Sequence, residues 1–159
     1  MAKIKRSELQ TFMNTTPATA ATYSLIGDGV TTGKISYNPK TTEETYIHED
    51  SATITLDSYA PTMPVEATAV SGDAVFDFVD GLRQTRAVLT DAETDIVNVW
   101  MYEAGGPTAY PAERQPCSIS VEDFGGDGGT AVKINYTINY LGAATAGTFN
   151  ATTSAFTPT

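Results

Sequence analysis

Apolar and polar residues alternate most regularly between Ser118 and Tyr140, and this pattern predicts a long β-hairpin. In its second arm the apolar positions are Val132, Ile134, Tyr136, Ile138 and Tyr140, and the polar positions between them are Lys133, Asn135, Thr137 and Asn139. A period of two over so many residues is typical of a strand with one buried face. Gly125–Gly129 supplies the turn, because glycine adopts the positive φ angles that tight turns require.

One segment has helical periodicity instead. Within Ser71–Arg83, the residues Val75, Phe78, Val79 and Leu82 follow the spacing i, i+3, i+4, i+7 and form one apolar stripe. Ser71 is placed to cap this helix, and Asp73 lies in its first turn, where the helix dipole favours a carboxylate. The pattern therefore predicts a single helix that packs against a sheet.

Shorter strands are expected elsewhere, separated by turns. They are predicted at Thr22–Ile26, Gly33–Asn38, Ala52–Tyr59, Ala87–Thr90, Asp95–Tyr102 and Thr148–Asn150. Pro61 and Pro64 are expected to interrupt strand pairing after Tyr59, and Gly105–Pro116 is predicted to be a loop. The predicted fold class is mainly β: a β-sandwich or partial barrel of about seven strands with one flanking α-helix.

The length of 159 residues fits one domain, which we assign to residues 22–150. The polar segment Met1–Ala21 is predicted to be an N-terminal arm, and residues 151–159 a C-terminal tail; each is expected to order against a partner. Pro39–Ser51 is predicted to be a long, acidic loop or loose hairpin, and loops of that length are usually functional. No segment has the pattern of a membrane span or a signal peptide.

The formal net charge of −10 argues against binding to nucleic acid. Such binding needs clustered Lys and Arg side chains that neutralise phosphates, and the chain has only nine basic residues. Three of these form the one cluster, close to the N-terminus.

The residues that carry catalysis are scarce. His48 and Cys117 are the only residues of their types, so no zinc-binding motif with two histidines is possible. Gly125–Gly129 together with Asp123 is similar to a Ca²⁺ loop, but a hairpin turn explains the same glycines. The acidic pairs Glu43-Glu44 and Glu49-Asp50 are expected to be solvated or paired with a neighbouring subunit. We therefore expect no enzymatic activity, no cofactor and no metal.

Several short stretches occur in an informative order and spacing across Thr22–Phe156. They are Ser36–Pro39, Glu43–Ile47, Tyr59–Pro61, Pro64-Val65, Gly72–Phe78, Leu82-Arg83, Asp95–Trp100, Phe124–Gly129, Ile138–Gly142 and Gly147–Phe149. In this order the chain resembles the major tail tube proteins of long, non-contractile tailed phages.

The resemblance implies that six copies close into a ring, that their strands join into a ring-wide β-barrel, and that rings stack into a tube. It assigns ring-to-ring contacts to the long loop and to both termini. Candidate inter-ring residues are Lys40, Glu43, Glu44, Tyr46, His48, Glu49, Asp50 and Asp127. Candidate lumen-facing residues are Glu122, Lys133, Asn135, Thr137 and Asn139. Glu122 is expected to offset the charge of Lys133.

The resemblance also implies partners and a location. The expected partners are further copies of the chain together with tape measure, tail terminator and distal tail proteins. DNA is expected to pass through without specific binding, because an acidic lumen repels phosphates. The expected location is the virion tail, assembled in the host bacterial cytoplasm. Two alternatives stay open: the inner tube of a contractile tail or tail-like bacteriocin, and a capsid-decorating or host-surface-binding β-sandwich module.

Overall fold

The computed structural model describes residues 1–159 and consists mainly of strands. A short 3₁₀ turn, Arg6–Glu8, precedes the first strand, and a second, Leu89–Ala92, follows the helix. The strands are β1 (Leu9–Asn14), β2 (Tyr23–Leu25), β3 (Val30–Gly33), β4 (Pro39–Glu44), β5 (Thr53–Tyr59), β6 (Thr62–Thr68), β7 (Glu93–Trp100), β8 (Tyr110–Gly125), β9 (Lys133–Tyr140), β10 (Thr145–Asn150) and β11 (Ala155–Pro158). The helix is α1 (Ala74–Thr85).

Nine strands form one antiparallel sheet. Its main path runs β2-β1-β7-β8-β9-β6-β3 and curls into a half-barrel, while β10 pairs with the first half of β8 and with β11. Strands β4 and β5 pair only with each other. The predicted fold class, a partial barrel with a path of seven strands and one helix, is confirmed.

The predicted hairpin is formed by β8 and β9. Ile119 pairs with Ile138, and the apolar residues Ile134, Tyr136, Ile138 and Tyr140 are buried as their alternation predicts. The register shifts between Val121 and Asp123, so Glu122 occupies a β-bulge. Because a bulge inserts one residue, it reverses which residues of β8 face the core beyond that point.

The helix lies over the sheet as expected, but Asp73 rather than Ser71 caps it. The Asp73 carboxylate accepts a hydrogen bond from the backbone N–H of Phe76 at 3.0 Å. Val75 and Val79 are buried against the larger core cluster, which also contains Met63 and Ile138. Burial of this apolar stripe is the main stabilising contribution of the helix.

A second, smaller core lies on the other face of β1, β7 and β8. Phe149 of β10 is fully buried there, with its ring centroid 4.4 Å from that of Phe12 and 6.4 Å from that of Tyr23. Strands β7 and β8 therefore have apolar neighbours on both faces.

The N-terminal prediction is wrong for Leu9–Asn14, which forms β1 between β2 and β7. Phe12 and Met13 are buried, and so are the polar residues Thr11 and Asn14. The Thr11 hydroxyl donates to Asn98 Oδ1 at 2.8 Å, so burial does not leave it unpaired. The C-terminal tail is likewise ordered within the chain, since β11 pairs with β10.

Pro61 lies between β5 and β6, as predicted, whereas β6 continues through Pro64 and β8 through Pro116. The missing N–H groups of these two prolines face interruptions in pairing. The Thr62 N–H donates to the Ser36 carbonyl, on the side of β6 that β3 occupies further along. Backbone N–H groups alternate in direction along a strand, so the position of the missing N–H of Pro64 faces the same side. Pairing with β3 stops there at Gly33, so no hydrogen bond is lost. Pro116 points into the gap between β10 and β9, because its carbonyl accepts from Leu141 there. Strand β8 therefore begins at Tyr110, inside the predicted loop.

Two further strand predictions are misplaced. The segment Ala87–Thr90 contains no strand and leads into the 3₁₀ turn Leu89–Ala92. The strand predicted at Gly33–Asn38 lies earlier, at Val30–Gly33, and within the rest of the predicted segment only Ser36 forms a bridge, to Thr62.

Candidate subunit interface

The β4–β5 hairpin projects from the half-barrel without support from either core. Every residue of both strands is exposed, and the two strands have no other pairing partner. An isolated two-stranded hairpin is only marginally stable in water. We therefore expect a contact with another chain to stabilise this hairpin.

One face of this hairpin is apolar. Ile54 is 68% exposed and Leu56 48% exposed, and they lie on the same face of β5. Glu43 is the cross-strand neighbour of Ile54, and Thr41 that of Leu56. Ile47 in the connecting loop is fully exposed. Contiguous exposed apolar side chains of this kind mark interaction surfaces.

The base of the hairpin is held firmly. The Asn38 side-chain Nδ2 donates to the Ala60 carbonyl at 3.0 Å and lies 3.2 Å from Thr62 Oγ1. The rings of Tyr37 and Tyr59 make an edge-to-face contact with centroids 6.3 Å apart. These contacts orient the hairpin relative to the sheet, although its strands lie in solvent.

The structure brings seven of the eight candidate inter-ring residues together. Lys40, Glu43 and Glu44 lie on β4, and Tyr46, His48, Glu49 and Asp50 lie in the loop that connects β4 to β5. All seven lie within Pro39–Ser51, which the sequence predicted to be a long loop or loose hairpin. Asp127 lies elsewhere, in the turn between β8 and β9, where its carbonyl accepts from Thr130.

Four candidate lumen-facing residues, Lys133, Asn135, Thr137 and Asn139, share one polar sheet face. Asn135 donates to Asp123 at 2.8 Å, and Asn139 donates to the Ser120 hydroxyl at 3.0 Å. The predicted pairing of Lys133 with Glu122 is wrong: Lys133 Nζ donates to Thr68 Oγ1 at 3.3 Å, and Glu122 is the bulge residue. Whether this face lines a lumen stays a prediction.

The single histidine and the single cysteine lie apart in different environments. His48 is exposed, 3.5 Å from Glu49, whereas Cys117 is fully buried in the main core. Burial, with a further contribution from Asp95, raises the pKa of Cys117 to about 12, so it is a neutral thiol at pH 7. No group of three or more His, Cys, Asp and Glu side chains is placed to hold a metal. No helix has the length and apolarity needed to cross a membrane.

A polar network that the sequence did not indicate fastens the N-terminal strands to β7. Asp95 accepts a hydrogen bond from the Tyr23 hydroxyl at 2.6 Å and another from Asn14 Nδ2 at 2.9 Å. Burial and the Asp95 carboxylate raise the pKa of Tyr23 to about 12, so this hydroxyl stays protonated as a donor. The only sequence signal was the presence of polar residues beside the apolar pair Phe12-Met13.

Comparison with known proteins identifies the fold. No protein-family model matches the sequence, and no curated protein matches it. A chain from the tail of an empty GTA particle with C6 symmetry superposes with a TM-score of 0.66 at 12% identity, covering 89% of this chain and 97% of that one. A chain from the sheath/tube terminator structure of PVC, an extracellular contractile injection system in the extended state, superposes with a TM-score of 0.53 at 11% identity, covering 92% and 97%. The chain therefore has a tail-tube-like fold.

Proposed function

We propose that the chain is a structural subunit that self-assembles into stacked six-membered rings and forms the tube of a phage-like tail. The β4–β5 hairpin carries this proposal, because it exposes an apolar face and has no packing partner within the chain. The C6 symmetry of the GTA tail that shares this fold supports the ring size.

Ring closure would also explain the sheet edges. Strands β2 and β3 end the main path and leave unpaired backbone groups. Exposed edges favour uncontrolled association unless another strand covers them, and pairing between neighbouring copies removes them. In such a ring the polar face of β9 would meet the water-filled bore.

We further propose that the tube conducts DNA without binding it and has no enzymatic activity. A net charge of −10 per chain supports weak interaction with phosphates. Tape measure, tail terminator and distal tail proteins would be its neighbours in the virion tail, and assembly would occur in the host cytoplasm. We favour the long, non-contractile type that the sequence resembles; a sheath gene beside this one would indicate the contractile type.

Electron microscopy of the purified protein tests the proposal. In the critical variant an Asn-Gly turn replaces Lys40–Ser58, because Pro39 and Tyr59 are cross-strand neighbours that two residues can connect. We expect wild type to form long tubes. We expect the variant to stay folded, with a Tm within about 4 °C of wild type, and to form no tubes. Tubes of normal length from the variant would contradict the role given to the hairpin.

One observation favours a host-surface-binding or capsid-decorating module instead. A cleft of about 570 Å³ at the base of the hairpin is lined by Tyr37, Tyr59, Pro39 and Glu113. Aromatic and proline side chains around a carboxylate are a common form of ligand cleft. A stable monomer or trimer at high concentration, with no rings, would support this second function.

A further inference from the structure

The strand register defines two ends of the half-barrel. At the first end β6 begins with the bridge between Thr62 and Ser36, and the β4–β5 hairpin leaves the sheet there. At the opposite end β6 finishes with Thr68 beside Lys133. The start of β7 lies level with the first end, because Glu93 pairs with Ser118, Ser118 with Asn139 and Asn139 with Thr62.

A groove of about 660 Å³ lies between the end of α1 and the second half of β8, which runs from the level of Thr62 towards the second end. Strand β8 continues past Ser118 to Gly125 with β9 on one side, but β7 stops at Glu93 and leaves no strand on the other side. The seven residues 119–125 therefore have a free edge roughly 23 Å long. Strand β5 also has seven residues and a free edge.

Apolar side chains are exposed at this groove. Val88 is 66% exposed, Leu89 84% and Phe124 44%. Leu89 has a φ of +54°, in the left-handed region that branched residues rarely adopt. The left-handed backbone of Leu89 costs stability, and both strained positions and exposed apolar side chains are typical of functional surfaces.

The charges at the groove are asymmetric. Arg83 is engaged, because it pairs with Asp80 at 2.7 Å and lies 4.0 Å above the Phe124 ring. Arg86 at the end of α1 has no carboxylate within ion-pair distance. Glu93, Glu122 and Asp123 line other parts of the groove. An acidic partner would therefore be accepted only on the Arg86 side.

We propose that the β4–β5 hairpin of one copy docks into this groove of the next copy. Ile54 and Leu56 pack against Val88 and Leu89, and Glu43, which lies beside Ile54 and has no cation partner in its own chain, faces Arg86. The hairpin and the groove are different surfaces of the chain, so the contact is head-to-tail and can repeat from copy to copy. The inference rests on the proposed function and identifies the surface of the next copy that receives the β4–β5 hairpin.

Charge reversal tests this pairing. E43R places two positive charges opposite each other at the contact between positions 43 and 86, and R86E places two negative charges there. Each variant alone should therefore raise the critical concentration for tube growth at least tenfold. The double variant E43R/R86E should restore growth to within threefold of wild type. An equimolar mixture of the two single variants should co-assemble, because each hairpin then meets an opposite charge. D57R is the matched control, since Asp57 lies on the face of β5 opposite Ile54 and Leu56, where it accepts a hydrogen bond from Thr42, and it should grow like wild type.

The outcomes separate the two proposals. If wild type forms no tubes, the proposed function fails and this inference falls with it. If wild type grows but E43R and R86E behave like D57R, only the inference is overturned. The same holds if the double variant and the mixture stay unassembled while remaining folded by circular dichroism.

A cross-link provides a second measurement that does not depend on charge. In the chain carrying I54C and L89C, oxidation during assembly should produce a ladder of covalent multimers on a denaturing gel. Cys117 does not interfere, because it is fully buried. The control T55C/L89C places the thiol on the opposite face of β5 and should give no ladder. A ladder of equal intensity from both variants, or from neither, would contradict the proposed docking.

Discussion

Replacement of the apolar face of the hairpin should prevent assembly without unfolding the subunit. In the variant I54T/L56T both positions carry the β-branched side chain of threonine, which favours strands, so the strand preference of β5 is retained. Since both residues are exposed in the isolated chain, 68% and 48%, the free energy of unfolding should change by less than about 0.5 kcal/mol.

The expected loss in assembly follows from the same exposures. Full burial of an Ile or Leu side chain contributes about 1.5–3 kcal/mol, and only the exposed fraction is still available to an interface. Ile54 can therefore contribute about 1–2 kcal/mol and Leu56 about 0.7–1.4 kcal/mol, or roughly 2–3 kcal/mol together. This corresponds to a rise of roughly 30- to 150-fold in the critical concentration per subunit contact.

Pelleting across a dilution series measures that concentration, and thermal unfolding of the monomer measures stability. The control T53S/T55S changes the opposite face of the same strand and should pellet like wild type. A critical concentration unchanged in I54T/L56T would refute the interface. A monomer destabilised by more than about 1 kcal/mol would show instead that this face packs within its own chain.

Three further predictions concern the subunit itself. Phe149→Ala should lower the free energy of unfolding by about 3–5 kcal/mol in a denaturant titration, because Phe149 is fully buried beside Phe12. Asp73→Ala should cost about 1 kcal/mol by the same measurement, since it removes the cap on the Phe76 N–H, whereas Ser71→Ala should cost nothing measurable. The raised pKa of Cys117 means that the unfolded chain releases the thiol proton above about pH 9 while the folded chain retains it, so stability falls as pH rises. Between pH 8 and 10 wild type should lose about 1.4 kcal/mol more than Cys117→Ala, and equal losses would show that burial does not shift this pKa.

Segments with one buried face could be predicted from the sequence, and segments with two could not. Strand β9 alternates because its apolar side faces the core and its polar side faces water. Strand β1 has its last four residues buried, so no alternation marks it as a strand. Its polar residues Thr11 and Asn14 are typical of an exposed N-terminal arm. Their burial is favourable because they form hydrogen bonds with Asn98 and Asp95, which lie more than 80 residues away in the sequence.

The predictions that Pro64 interrupts strand pairing and that Pro116 lies in a loop were wrong for a related reason. A proline ends strand pairing only when its missing N–H would face a partner strand, and the sequence alone does not reveal that direction. Pro64 and Pro116 both face gaps in pairing, so β6 and β8 continue through them. The contact role of the acidic segment after Pro39 was an implication of the family resemblance. The sequence left a long loop or a loose hairpin open there, and only the register of β4 with β5 reveals the hairpin with its apolar face.

The acidity of the chain and the exposed apolar hairpin together determine what kind of contact can join its copies. Chains of net charge −10 repel one another at low ionic strength, which favours solubility and opposes indiscriminate association. A productive contact must therefore combine apolar burial with locally opposite charge. The hairpin has both properties, because Ile54 and Leu56 supply the apolar area and Glu43 supplies a charge on the same face. Association then depends on the matching surface of the neighbouring copy, because a contact without opposite charge does not offset the repulsion between the chains.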